Sequence, residues 1–170
     1  MTATPAVPSP GHDSPLMGQG FHWQDLRVGQ TLRTLRRTVT EADLVGFIGV
    51  TGMLEAMFLE ADSAHGAIGG RPVPAALTYC LIEGFILQSM IQGTGLAMLE
   101  MQQDIKAPVR VGDTVRGVVQ VTEIRPTSRS NRAVVGSLIS VYNQRDELVM
   151  TYACKRLLAG RPDAANEGSP

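Results

Sequence analysis

The chain has only two cysteines, Cys80 and Cys154, set far apart with no CxxC pair and no His/Cys cluster. That excludes a disulfide framework and a structural zinc site. Both read as small core residues, because a free cysteine packs as a compact hydrophobe. An excess of either charge is also missing: 15 Lys plus Arg stand against 16 Asp plus Glu, so there is no electrostatic footprint for nucleic acid or anionic lipid. Nor is there a membrane-spanning run. The most apolar stretch, residues 75–91, is broken by Glu83 and Gln88 and falls short of the ~20 residues a span requires. The N-terminal twenty residues have neither a basic start nor an apolar run, which argues against a secretory leader. No Gly-rich phosphate loop and no metal-ligand cluster is found, so neither a bound cofactor nor a metal is expected.

What remains is a 170-residue chain that is 44% hydrophobic, the makeup of one globular domain of the cytoplasm. Residues 1–20 are rich in Pro, Gly and Ser and read as a disordered tail; residues 159–170 read as a flexible one. Residues 21–158 are the folded part. Within it, Thr31 to Val39 suits a short edge strand. Thr40-Glu41-Ala42-Asp43 then offers a capping-box start to a helix carrying Leu44, Phe47 and Ile48 on one face and Gly52 at its end. The span from Met53 to Arg71 is irregular, with a short helix near Glu60 and a Gly69-Gly70 turn.

Pro74 opens a second helix, in which Leu77, Leu81, Ile82, Phe85, Ile86 and Met90 cover more than one stripe. Gly93 and Gly95 end it. The pattern then changes to period two through Leu99, Met101, Gln103 and Ile105, and again through Val115, Val119 and Val121. Residues 132–142 and 148–158 make two further strands joined by a polar turn at 143–147. A helix this apolar needs a sheet around it. The expected fold is therefore α+β, with one antiparallel sheet wrapped around a long central helix, the hotdog arrangement. Its edge strands call for pairing with a second copy, so a dimer is expected.

Four segments carry a family resemblance: FHWQDLRVGQ (21–30), TVTEADLVGFIGVTG (38–52), IGGRPVPAAL (68–77) and IKAPVRVGDT (105–114). In order and spacing they resemble the MaoC-like dehydratases and (R)-specific enoyl-CoA hydratases. The resemblance implies an acyl-thioester substrate, carried on coenzyme A or on the phosphopantetheine of a carrier protein. It implies water addition to, or removal from, the enoyl/3-hydroxyacyl pair. In that family the first helix runs into Thr-Gly-Asp and then Asn-Pro-x-His, whose Asp and His activate water. Here Thr51-Gly52 is followed by Met53, Glu55 and Ala56 fill the Asn-Pro places, and Met57 or Phe58 stands where the His is expected. Where the family has Ala-His-Gly-Met this chain has Val73-Pro74-Ala75-Ala76, and the Ala75 amide at the helix N-terminus is still able to polarise a thioester carbonyl.

With that pair replaced, three residues are candidates for the chemistry. His65 lies about ten residues before the buried helix, in a Gly/Pro-rich stretch similar to the His-bearing segment of a hotdog dehydratase of fatty-acid synthesis; its alternative is a solvent-exposed or structural histidine. Glu55 lies close to the family's catalytic positions, whereas Glu60 and Asp62 read as solvated acids. Glu83 is a carboxylate about two turns into an apolar helix, so something must compensate it. Resemblance to hotdog thioesterases makes it a catalytic carboxylate, and the alternative makes it a dimer contact or the partner of an arginine. Ala75, Met53, Phe58 and Gly70 are the expected substrate-binding residues. Arg125 to Arg132, with Lys106 and Arg110, would hold coenzyme A phosphates or meet an acidic carrier protein, or form a solvated loop. Three functions follow: a hydratase or dehydratase with a relocated acid/base, a thioesterase using Glu83, or a non-catalytic subunit that pairs with an active relative.

Overall fold

The computed structural model describes residues 17–60 and 71–162. The first helix, α1 (Glu41–Thr51), starts where the sequence indicates. The Asp43 amide donates to the Thr40 hydroxyl at 3.2 Å, and the Thr40 amide donates to the Asp43 carboxylate at 2.9 Å, satisfying amides the helix itself leaves bare. Gly52 ends it at φ +70°, with its N–H donating to the Ile48 carbonyl, a conformation in which a Cβ would be strained. Leu44 and Ile48 are buried and Phe47 packs against them. A single further turn, α2 (Ala56–Leu59), follows.

The central helix, α3 (Ala75–Gln88), opens at Pro74 and buries Leu77, Ile82 and Ile86 among the strands. After it come β3 (Gly95–Ile105), β4 (Thr114–Pro126), β5 (Arg132–Tyr142) and β6 (Leu148–Ala159). All pair antiparallel, with two short N-terminal strands, β1 (Thr31–Arg33) and β2 (Arg37–Thr38), both on β4. The spatial order is β1-β4-β5-β6-β3. Along β4 the alternation of Val115, Gly117, Val119 and Val121 faces the helix. Gly117 is required there, since a Cβ at that position would lie 2.8 Å from Ile82 Cγ2. β5 and β6 are joined through Asn143 to Glu147, where the Asn143 side-chain oxygen accepts from the Arg145 and Glu147 amides. This is the α+β hotdog arrangement, with the sheet curled over α3.

Four details differ from the sequence expectation. Thr31 to Val39 is not one strand, because the chain leaves the ladder at Thr34, whose amide and hydroxyl both bond Gly117. β6 runs to Ala159, and Gly160 continues with a backbone bond to Asn131. Cys80 is exposed, lying on the helix face turned away from the sheet, whereas Cys154 is buried. Finally, β3 shows no buried position at all. Among the described residues only β6 borders it and α3 does not cover it, so Leu96, Met98, Leu99, Met101 and Ile105 are all exposed.

Candidate functional site

Two cavities of about 360 Å³ flank α3, one at each end. The first lies at the helix N-terminus. Met57 and Phe58 of α2 form one wall, Pro72, Val73 and the first turn of α3 (Ala75, Thr78) form the floor, and the end of β3 with Ala107, Pro108 and Val109 forms the other wall; Val149 and Met150 of β6 close it. Why these elements meet is readable from the chain. A backbone bridge ties Pro72 to Arg110, and the Val73 amide donates to the Val109 carbonyl at 2.8 Å, holding the entry to α3 beside the β3–β4 connection.

The chemistry of this cavity is that of a single polar point in an apolar wall. The first amides of a helix have no partner within it, and Pro74 contributes no side-chain cap. Among the described residues the Ala75 and Ala76 N–H groups have no acceptor, and they lie at the positive end of the helix dipole. The carbonyls of Pro74 and beyond are spent inside the helix, with the Leu77 and Thr78 amides both donating to Pro74. Among the described lining residues there is no carboxylate and no imidazole; Lys106 is the sole ionisable side chain, and it is paired with Asp104.

The second cavity lies toward the C-terminal end of α3, between Leu87, Ile91 and the start of β3, and Glu83 and Arg156 line it. Glu83 is buried at 7% exposure and Arg156 at 3%. Arg156 Nη2 donates to both carboxylate oxygens of Glu83, at 2.8 and 2.7 Å, and the Tyr152 hydroxyl donates to one of them at 3.0 Å. Arg156 Nη1 also donates to Cys154 Sγ. Burial works against the arginine's charge, but Cys154 and Glu83 beside it outweigh that and hold its pKa above the ordinary value. Burial raises Cys154 to about 11 and drives the Tyr152 phenol upward, with the Glu83 charge adding to both. A neutral thiol and a neutral phenol surround the ion pair; both carboxylate oxygens are engaged, while the buried Arg156 Nε has no partner among the described residues.

The structure brings two of the proposed binding residues, Phe58 and Ala75, together on the first cavity. It does not bring Met53, which is 41% exposed on the turn after α1. His65, Gly70 and Asp62 lie outside the described residues. Glu55 is exposed and caps α2, its carboxylate accepting from the amide of the cavity-wall residue Met57, two positions on, at 2.8 Å. Glu83 faces the other cavity with both oxygens engaged, which is the arginine pairing allowed for above and leaves no lone base for a thioester. Lys106 lines the first cavity, and Arg110 follows its wall residue Val109. The 125–132 turn sits at the far end of the sheet, where Arg132 is opposite Ala159. Sequence reasoning missed Thr78, Tyr152 and Arg156. A signal existed for the last two: with Cys154 they alternate on the inward face of β6, and an inward arginine demands a carboxylate. Among the described residues no three His, Cys, Asp or Glu side chains gather to hold a metal, and no helix is long and apolar enough to cross a membrane.

Comparison with known proteins gives one consistent result. A family model described as FAS1-like, dehydratase domain region, matches residues 27–152. A 3-hydroxybutyryl-CoA dehydratase of Methylorubrum extorquens is 32% identical over 113 residues, covering 66% of this chain and 71% of its own. An (R)-specific enoyl-CoA hydratase of Rhodospirillum rubrum is 25% identical over 123 residues, 69% of this chain and 85% of its own. The crystal structure of a MaoC-like dehydratase from Rhodospirillum rubrum superposes with a TM-score of 0.74 at 25% identity, over 85% of this chain and all of that one.

Proposed function

Because the chain belongs to the FAS1-like, MaoC-like dehydratase family, we propose that it takes acyl thioesters of coenzyme A or of a carrier protein at the N-terminus of α3 and works on the enoyl/3-hydroxyacyl pair. The observation that carries this reading is the coincidence of an apolar cavity with unpaired helix amides. The acyl chain lies against Phe58, Met57, Val109 and Met150, its carbonyl accepts from the Ala75 amide, and the helix dipole stabilises the negative charge that develops on that oxygen. Lys106, on the cavity wall, is the cation that meets the phosphates of the carrier group in this reading.

Hydration further requires a group that takes a proton from water and one that returns it at Cα. Glu55 supplies the first by turning from its cap on α2 toward the cavity, and His65 is the second candidate. The test follows the loss of enoyl absorbance when purified protein meets crotonyl-CoA and longer enoyl-CoAs, with Glu55→Gln and His65→Ala alongside. Turnover that falls at least tenfold in either variant supports the assignment; no turnover with any chain length defeats the enzymatic reading.

A second reading is favoured by the lining itself, which among the described residues carries no carboxylate or imidazole. In it the chain binds the thioester and an active relative supplies the acid/base pair across the bare edge of β3. An active partner that copurifies from the source cells, with no turnover by the chain alone, would select it.

A further inference from the structure

Thr78 is an anomaly in the first turn of α3. It is 1% exposed, and its hydroxyl is fully buried with no hydrogen-bond partner among the described residues. Desolvating a hydroxyl without a partner costs about 1–3 kcal/mol; Thr94 and Ser137 share this state, but of the three only Thr78 is on the wall of the cavity at the helix N-terminus. A valine would fit the same shape without that cost. Thr78 lines the cavity at the helix N-terminus together with Ala75, three residues earlier on the same helical face. A helical side chain leans toward the N-terminus and covers the turn before its own Cα, so the Thr78 side chain belongs to the same turn as the Ala75 and Ala76 amides.

Other features of the molecule point to no ligand as directly. In the Glu83, Arg156 and Tyr152 network both carboxylate oxygens are engaged internally, and Arg156 Nε, without a partner among the described residues, is a single donor on an ion-paired side chain. Arg33 and Arg36 at the β1–β2 turn lie in an open groove that also contains the Arg116–Asp146 pair.

We propose that Thr78 is a substrate-binding residue whose hydroxyl donates to the thioester carbonyl oxygen, completing with the Ala75 amide a two-donor cradle in an otherwise apolar cavity. This rests on the reading of that cavity as the thioester site. It adds a selection: with one hydroxyl and the helix amides as the polar features deep in the cavity, the site favours acyl groups whose single acceptor is the carbonyl and whose remaining atoms are hydrocarbon.

Calorimetric titration of the full chain with butyryl-CoA and with S-butyl-CoA, the thioether lacking the carbonyl, separates the outcomes. Thr78→Val should lower butyryl-CoA affinity by roughly three- to tenfold, the worth of one neutral hydrogen bond, and leave S-butyl-CoA affinity unchanged. Thr78→Ser should retain the preference for the thioester. The melting temperature of Thr78→Val should hold or rise, since an unsatisfied hydroxyl is removed. Equal effects on both ligands, no effect on either, or a marked fall in melting temperature would overturn the role of Thr78 while leaving the cavity assignment standing. Wild-type protein that binds neither ligand would remove the cavity assignment, and this role with it.

Discussion

The two ends of α3 make an instructive pair. Each borders a cavity of about 360 Å³, yet they differ in what is left over. Near the C-terminal end a carboxylate and a guanidinium are buried and paired, with Tyr152 completing the carboxylate, Cys154 Sγ accepting from Arg156 Nη1, and Arg156 Nε left without a partner among the described residues. At the N-terminal end there is almost no charge, but amides and one buried hydroxyl lack partners among the described residues. The charged end draws attention in the sequence, yet its carboxylate is fully engaged and Arg156 Nε is what is left over; the nearly neutral end has its free donors on the wall of a cavity at a helix N-terminus. A buried charge indicates a site only when its partners leave it something to do.

The sharpest way to break this contrast is at Arg156. Arg156→Met strands Glu83 in the interior and should cost about 3–5 kcal/mol, whereas Glu83→Leu combined with Arg156→Met should recover most of that loss. Chemical denaturation of the three proteins measures it. If the single variant is as stable as the wild type, the pair is not the structural element described above.

Next in size is a block of the other cavity. Ala107 is half-buried on its wall, and Ala107→Trp should lower butyryl-CoA affinity more than tenfold with little change in melting temperature. Leu96→Trp, at the mouth of the second cavity, should leave that affinity within twofold. Calorimetry on both variants reads the difference directly, and the reverse pattern would exchange the roles of the two cavities.

β3 borders both cavities, and its exposed Leu99 and Met101 with a bare hydrogen-bonding edge suit antiparallel pairing with a second hotdog chain. Light scattering should give about twice the 18.2 kDa chain mass, and Leu99→Lys with Met101→Lys should return the protein to one chain. A wild-type monomer would refute the pairing.

The smallest effect concerns pH. Burial alone would raise the Asp43 pKa, but bonds from the Thr40 amide and hydroxyl and from Arg37 prevail and hold it below the usual 3.8. A carboxylate lowered in the folded state contributes stability above its unfolded value and loses it as pH falls through the folded one. Melting temperature should therefore decline more steeply below about pH 4 in the wild type than in Asp43→Asn.

Much of this was legible in the chain. The capping residues Thr40 and Asp43, the terminal Gly52, and the period-two pattern of Val115, Val119 and Val121 each obey a local rule, and local rules are what a sequence displays. Glu83 and Arg156 illustrate the limit. Each announces an unmet need, an acid in an apolar helix and a base on an inward strand face, but 73 residues separate them and only the curl of the sheet joins them. Cys80 and β3 misled for a related reason. Apolar character alone does not say which face of a helix meets the sheet, or whether a strand is covered or waits for another chain. Thr78 was invisible because a threonine in a helix is unremarkable until its surroundings prove empty of partners.

One measurement bears on the central claim most directly: photolabelling with an acyl-CoA that carries a diazirine at the end of a short acyl chain, mapped by mass spectrometry. Attachment to Met57, Phe58 or Met150 is the result expected from a thioester held at the N-terminus of α3. Attachment to Leu87, Leu96 or Met98 would contradict it and place the substrate beside Glu83 and Arg156.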